Sequence, residues 1–519
     1  MSEARAEVFH SDDDDSCDTT SKWRLPDSWA WTSLSDVSEL IFGQSPPSST
    51  YNSEQRGLPF FQGKAEFGTV HPKVVKYCTA ATRTAEVGDI LMSIRAPVGP
   101  TNVADRRCGV GRGLAAIRAR GEIDPSFLRY FLNRTEANLA AQGTGTTFSA
   151  ITKRVLVSHP VAIAPLKEQR RISSKIDELF SEIEAGERAL KRARAALARY
   201  RKSVLKAAVT GDLTADWRAA NKDRLEPADK LLTRILAARR EAWEKAERAK
   251  LKAQGKAPKG EEWRKKYREP AEPHTAELRA LPDCWTWATV DQLSTKVTDG
   301  VHKKPNYVDQ GVPFVTVKNL TAGPGITFDD LNYVAHSDHL EFIKRTHPER
   351  GDILISKDGT LGVTRVIKTD RVFSIFVSVA LIKPVNRTMG DYFGVALASP
   401  IVQQQMVPVG TGLQHIHLVD LRRDCIPLCS LDEQTEVVSR VEEAFSKANH
   451  VEAALDAQER AARALKQSIL KAAFVGRLVP QDPNDEPAAK LLERISASAK
   501  LEKGSGAASK AKVGRRRSN

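Results

Sequence analysis

No apolar run in this chain approaches the ~18 residues of a membrane span, so no membrane partner is expected. Cysteine is scarce. Cys17, Cys78, Cys108, Cys284, Cys425 and Cys429 show no paired spacing, which argues against a disulfide framework and for buried thiols in a reducing compartment. The opening stretch SDDDDSCD is acidic and lacks the apolar core of a secretory signal, so a cytoplasmic location is expected. His415-x-His417 ahead of Cys425-x3-Cys429 could be drawn as a metal site, but the pattern has no second copy, and no metal is expected.

Catalytic signatures are equally sparse. There is no GxxxxGK[ST] loop to cradle phosphates, so no nucleotide-driven motor is visible. Ser45-Pro46-Pro47-Ser48 approaches the motif by which amino-methyltransferases hold a flipped base. It ends in Ser where a stacking aromatic is required, and no glycine-rich cofactor loop precedes it. Asp89 and Asp352 each follow Gly ahead of an apolar run, where a tight turn is the simpler reading than a nuclease metal ligand. The Gly143-Thr144-Gly145 and Gly410-Thr411-Gly412 segments read as turns before strands. The chain is expected to bind rather than catalyse.

What the sequence does have is a second copy of itself. LPDSWAW from Leu25 returns as LPDCWTW from Leu281, and VGDILMSIRAPVG from Val87 as RGDILISKDGTLG from Arg350. LKEQRRI from Leu166 returns as LDEQTEV from Leu431, SVLKAAVTGDL from Ser203 as SILKAAFVGRL from Ser468, and EPADKLL from Glu226 as EPAAKLL from Glu486. The order is the same in both halves. A period this long exceeds any solenoid repeat, so each copy is a domain-sized unit and the chain a pseudo-symmetric pair.

Within each copy the texture changes at the Glu-Gln pair. Before it, β-branched and aromatic runs such as LPFFQGK, DILMSI, VPFVTVKNL and VFSIFVSVALI are punctuated by Gly and Pro, as expected of compact α+β domains. Short helices are expected at PSFLRYFLNRTEANLAAQ and DYFGVALASPIVQQQM. After the pair, Ile172, Ile176, Leu179, Ile183, Gly186, Leu190, Ala193, Leu197, Tyr200 and Val204 alternate at spacings of four and three. Val437, Val441, Ala444, Ala448, Val451, Leu455, Gln458, Ala462, Leu465 and Ile469 repeat that register, the pattern of a coiled-coil seam. Helices over Glu168–Val209 and Glu433–Phe474 would each span about 63 Å. The small seam residues, Gly186 among them, are expected to permit close packing.

The expected fold is α+β, with two β-rich domains at opposite ends of an antiparallel pair of long coiled-coil helices, related by a pseudo-two-fold internal duplication. The segments are an acidic disordered tail (1–20), a first domain (21–165), a first helical spacer (166–235), a charged linker or insert (236–280), a second domain (281–428), a second helical spacer (429–495) and a basic disordered tail (496–519). The net charge of +14 points to a polyanion. Much of it lies in the insert and the basic tail, where a solvated charge run is the default reading.

In GQSPPSSTYN with LPFFQGK, in TDGVHKKPNYVDQGVPFVTVKN, and in the twice-repeated LPxxWxW, GDIL, EQ and S[VI]LKAA motifs, the chain resembles the DNA-specificity subunit of type I restriction-modification enzymes. The resemblance runs from about Trp23 to Ile495. It implies that each β-rich domain reads one half of a split double-stranded DNA site. The helices would set the spacing between halves and dock two modification subunits, with restriction subunits joining the full complex. S-adenosylmethionine, ATP and Mg are then expected on those partners, and no cofactor on this chain. Base-edge readout favours Arg, Lys, Asn and Gln on loops that enter the major groove. The candidates are Gln44, Ser45, Gln62 and Lys64 in the first domain and Lys303, Lys304, Lys318 and Asn319 in the second. Phosphate contact is the competing reading for the lysines. A non-catalytic protein-interaction scaffold and a stand-alone DNA methyltransferase are the alternative functions.

Overall fold

The computed structural model describes residues 23–144, 150–255, 260–303, 305–410, 412, 414–498 and 500. Cys17, the acidic segment 1–20 and most of the basic tail lie outside them. Residues 488–498 and 500 are helical. The chain divides into two compact units, Met1–Lys191 with Asp456–Asn519, and Arg192–Leu455.

The first unit holds a four-stranded antiparallel sheet in the order Ser38–Phe42, Leu114–Ala119, Ile90–Ser93, Thr101–Val103. A five-stranded sheet beside it contains Leu58–Phe61 parallel to Cys108–Val110. Strand alternation explains why DILMS is apolar throughout: Ile90 and Met92 enter the core shared with the helices, whereas Leu91 enters a second core with Phe61, Val110 and Leu114. The second unit repeats the plan with Ser294–Asp299, Val379–Pro384, Ile353–Ser356 and Thr364–Val366, and again Leu354 points away from Ile353 and Ile355. Asp89 and Asp352 close the turns before these strands, accepting from the Glu86 and Glu349 amides at 2.7 and 3.0 Å.

The expected short helices form. Pro125–Arg134 is capped by Asp124, whose side chain accepts from the Phe127 amide at 2.8 Å, and Glu136–Ala141 follows it. In the second unit Gly390–Ala398 stops before Pro400, which begins a separate turn of helix, Pro400–Gln403. The two long helices run Leu166–Thr210 and Leu431–Phe474, slightly beyond the sequence estimate.

Within each unit the long helices are antiparallel. In the first, Ile172 and Ile176 share a core with Ile469, Leu470, Ala473 and Phe474, and Glu187 pairs with Lys466 at 2.9 Å. In the second, Val204 and Ala208 meet Val437 and Val441, and Arg201 pairs with Glu452 at 2.7 Å. The middle of the seam departs from the expected register. Tyr200, Val451 and Leu465 are exposed, and a Cβ added at Gly186 would touch nothing within 4 Å, so Gly186 serves no close approach. The adjacent positions Glu187, Arg201, Glu452 and Lys466 take the half-buried places instead.

Each unit is closed by the repeated motifs. Trp29 donates to Glu168 Oε2 at 3.0 Å and Trp285 to Glu433 Oε2 at 2.8 Å. The Ala488 amide donates to Ser28 O at 2.9 Å and the Ala228 amide to Cys284 O at 3.1 Å. Gly476 and Gly211 end the long helices at φ +75 and +79, where an added Cβ would lie 2.4 Å from Pro26 Cγ and 2.6 Å from Pro282 Cγ. All these groups meet at one joint per unit, which explains why they are the best-repeated residues. Phe127 and Phe131 pack edge-on against Phe474, each at 5.2 Å, and complete the first joint.

Among the described residues of the stretch 236–280, several pack on the second domain. Helix Ala228–Ala253 crosses position 236, and Arg239 donates to Asp291 O and Ser294 O at 3.1 and 3.0 Å and to the Tyr267 hydroxyl at 2.6 Å. Trp243 stacks on Trp263 at 6.1 Å. These contacts hold the insert against the second domain despite its charge.

Candidate nucleic-acid interface

One edge of each domain is built by the same backbone bonds. In the first unit the strand ending at Ser93 enters a loop closed by the Gly99 amide donating to Ser93 O at 2.9 Å. Ile94 N donates to Gly113 O and Ile151 N to Ile94 O, both at 3.0 Å, and Arg95 bridges Ala150. In the second unit Gly362 N donates to Ser356 O at 2.8 Å, Lys357 N to Ser378 O at 2.9 Å and Ile416 N to Lys357 O at 2.8 Å, and Asp358 bridges His415. Thr144 and Val409 bridge the same two residues, Ala150 and His415, while Gly145 and Thr411 of the Gly-Thr-Gly segments lie outside the described residues.

Three of the first domain's candidates gather at the turn after Val110. The backbone N–H of the exposed Gln44 donates to Val110 O at 2.9 Å, and its side-chain Oε1 accepts from the Thr82 hydroxyl at 3.3 Å. Ser45 Oγ accepts from the Arg112 amide at 3.4 Å. Gln62 is half-buried, and a Cβ on Gly113 would lie 2.2 Å from Gln62 O, so that approach requires glycine. Lys64 is exposed near Glu136; burial raises the Glu136 carboxyl's pKa, and Lys64 partly offsets the rise. Because Glu136 Cγ lies 2.6 Å from where a Gly99 Cβ would sit, Lys64 flanks the same loop.

Sequence reasoning missed Arg95, Arg112 and Lys153 on this edge. Arg95 and Arg112 are exposed with no ion pair among the described residues, and Lys153 Nζ sits 5.6 Å from the Phe42 ring centroid. Each is a lone base between neutral neighbours or within a short basic pair, so no local pattern marks it. Topology alone assembles them.

In the second domain Lys303 is exposed, and Lys304 lies outside the described residues. Asp299, in the same TDGVHKK stretch, is structural: its carboxylate accepts from Arg345 at 2.5 Å and His302 at 3.1 Å, with Lys357 Nζ 3.5 Å away. Burial pushes its pKa up, but these partners outweigh burial and hold it below the usual range. Lys318 is exposed yet paired with Asp330. Asn319 must be withdrawn as a base reader: it is 2% exposed, and its Oδ1 accepts from the Thr316 amide at 2.9 Å to cap helix Val317–Thr321. His415 and His417 stand ring to ring at 4.6 Å, while Cys429 is in the core with Trp285 and Tyr392. The drawn His/Cys set does not come together.

Residues 26–192 match the family model described as "Type I restriction modification DNA specificity domain". The specificity subunit of the type I restriction enzyme EcoBI from Escherichia coli is 23% identical over 498 residues, 91% of this chain and 93% of that protein. Over most of its length the chain is thus similar to type I specificity subunits, and residues 26–192 match the family's DNA specificity domain. A shorter match, 40% identical over 163 residues, is to a proposed type I specificity subunit, MjaX, of Methanocaldococcus jannaschii; it spans 31% of this chain and 38% of that protein. The crystallised HsdS subunit of Thermoanaerobacter tengcongensis is 46% identical over 32% of this chain and 41% of that one, with a TM-score of 0.30. Among the described residues, no helix is long and apolar enough to cross a membrane.

Proposed function

We propose that this chain is the non-catalytic specificity subunit of a type I restriction-modification complex, in which each domain reads one half of a split double-stranded DNA target. The observation that carries this reading is the duplicated edge: two loops closed by the same set of backbone bonds present different side chains, as two readers of different half-sites require. Exposed bases without acidic partners on the first edge, Arg112 and Lys153, suit the phosphates that flank a read base. The long helices dock two modification subunits, which bind S-adenosylmethionine, and restriction subunits that use ATP and Mg join through them. The complex works in the cytoplasm.

The test is an electrophoretic shift of random-sequence and methylated-motif duplexes with the full chain, alone and with its modification partner. Sequence-selective binding that sharpens with the partner supports the reading. Cofactor binding by the isolated chain would favour a methyltransferase, and partner binding without any DNA affinity would favour a protein scaffold.

A further inference from the structure

We propose that Arg95 and Asp358, which occupy equivalent positions in the two domains, are specificity-determining residues that read opposite base chemistry in the two half-sites. The inference rests on the DNA-reading function above and goes beyond it by assigning the residue and the kind of base.

The equivalence is established bond by bond. Each residue is second after the serine that ends its strand, in a loop closed by a glycine amide on that serine's carbonyl. Each bridges the segment that follows a Gly-Thr-Gly sequence, to Ala150 in one case and His415 in the other. The residue before each makes the same pair of backbone bonds, to Gly113 and Ile151 or to Ser378 and Ile416. The closing backbone bonds and loop length are therefore shared, although Ala96-Pro97 is cis in one loop and Gly359 has φ +73 in the other, while the side chain changes from a five-donor guanidinium to a carboxylate that only accepts.

Both side chains are available. Arg95 is exposed and makes no side-chain hydrogen bond or ion pair among the described residues. Asp358 is 22% exposed, and its nearest charge is Lys357 Nζ at 3.8 Å, which is also committed to Asp299. A guanidinium presents a fork that matches guanine O6 and N7, whereas a carboxylate accepts from an exocyclic amine, chiefly cytosine N4. The first domain is thus assigned a guanine contact and the second an amino-group contact.

The experiment selects random-sequence duplexes with the full chain and its modification partner, comparing wild type with R95A, R95Q, D358A and D358N. R95A should lower preference about tenfold at one guanine in one half-site and leave the other half unchanged. D358A should do the same at one cytosine of the other half. An adenine preference there in the wild type would keep the amino-group contact and reassign it to N6. Arg95→Gln and Asp358→Asn should each shift the preferred base towards adenine, a gain that structural damage cannot produce. Unchanged preferences in all four variants, or an even loss across both halves, overturn the proposal. A wild type that selects no split motif instead removes the DNA-reading function itself.

Discussion

Trp29 donates its indole N–H to the buried Glu168, 3.0 Å away, and Trp285 does the same to Glu433 at 2.8 Å, yet the two carboxylates are differently served. Glu433 Oε1 also accepts from Thr214 at 2.8 Å and Arg218 at 2.7 Å. Val479 stands where Thr214 does in the repeat, and Glu168 Oε1 has no partner among the described residues. Burial accordingly raises the Glu168 pKa, partly countered by Trp29 and Arg171.

The asymmetry predicts unequal mutational costs. Glu433→Ala breaks a buried, multiply bonded pair and should destabilise by about 3–5 kcal/mol. Glu168→Gln keeps an acceptor for Trp29 and removes a poorly solvated charge, so its effect should stay within about 1 kcal/mol. Chemical denaturation of the full chain measures both. Equal losses would show that the second-oxygen bonds contribute little.

The duplication and the strand and helix types were legible because they depend on local period and on motifs that occur twice. The seam was only partly legible. Its heptad pattern placed Gly186, Tyr200, Val451 and Leu465 inside, but helix ends fixed in the cores leave a 3.6-residue helix to drift from a 3.5-residue stripe. Over the middle turns the drift brings Glu187, Arg201, Glu452 and Lys466 inward. Arg95 and Asp358 were legible as counterparts, each two residues past the repeated GDIL serine, but not as site residues, because their place at a domain edge depends on long-range backbone bonds.

Asn319 and Arg112 should separate folding from DNA contact. Asn319→Ala removes a buried cap and should cost about 1–2 kcal/mol in stability while leaving base preference intact. Arg112→Ala with Lys153→Ala should leave stability within about 0.5 kcal/mol. If both meet phosphate, it should also reduce the salt dependence of binding by about two counterions. Thermal melts and titrations at several salt concentrations distinguish the two classes, and a changed salt slope in the Asn319 variant would return that residue to the interface.

Asp424 gives a pH test. Its carboxyl is buried, Oδ2 lacks a partner among the described residues, and burial with the nearby Asp420 raises its pKa to about 7. The folded state therefore holds a proton that the unfolded chain has released above its ordinary pKa, so this residue costs stability increasingly as pH rises towards 7. Asp424→Asn should stabilise little near pH 4 and by up to about 4 kcal/mol at pH 8. Melting temperatures of both proteins across that range check it; a gain that is the same at every pH would mean the carboxyl is solvated.

Domain exchange tests whether the two edges read independently, and the strand register indicates where to cut. Ser38 and Ala119 are paired across adjacent strands, so the segment between them begins and ends side by side and contains the four- and five-stranded sheets of the first unit. Cutting there spares Trp29, Phe127, Phe131 and Glu168, whose contacts with Phe474 and Ala488 hold the joint. A graft of residues 38–119 from a relative with a different target should thus fold on the resident joint. It should change one half of the methylated motif and leave the other half as it was. Methylation mapping in a host carrying the hybrid reads out both halves at once. Changes in both would contradict independent readers, and an unchanged motif in a folded, active hybrid would move readout to the segment around Ala150 and Lys153.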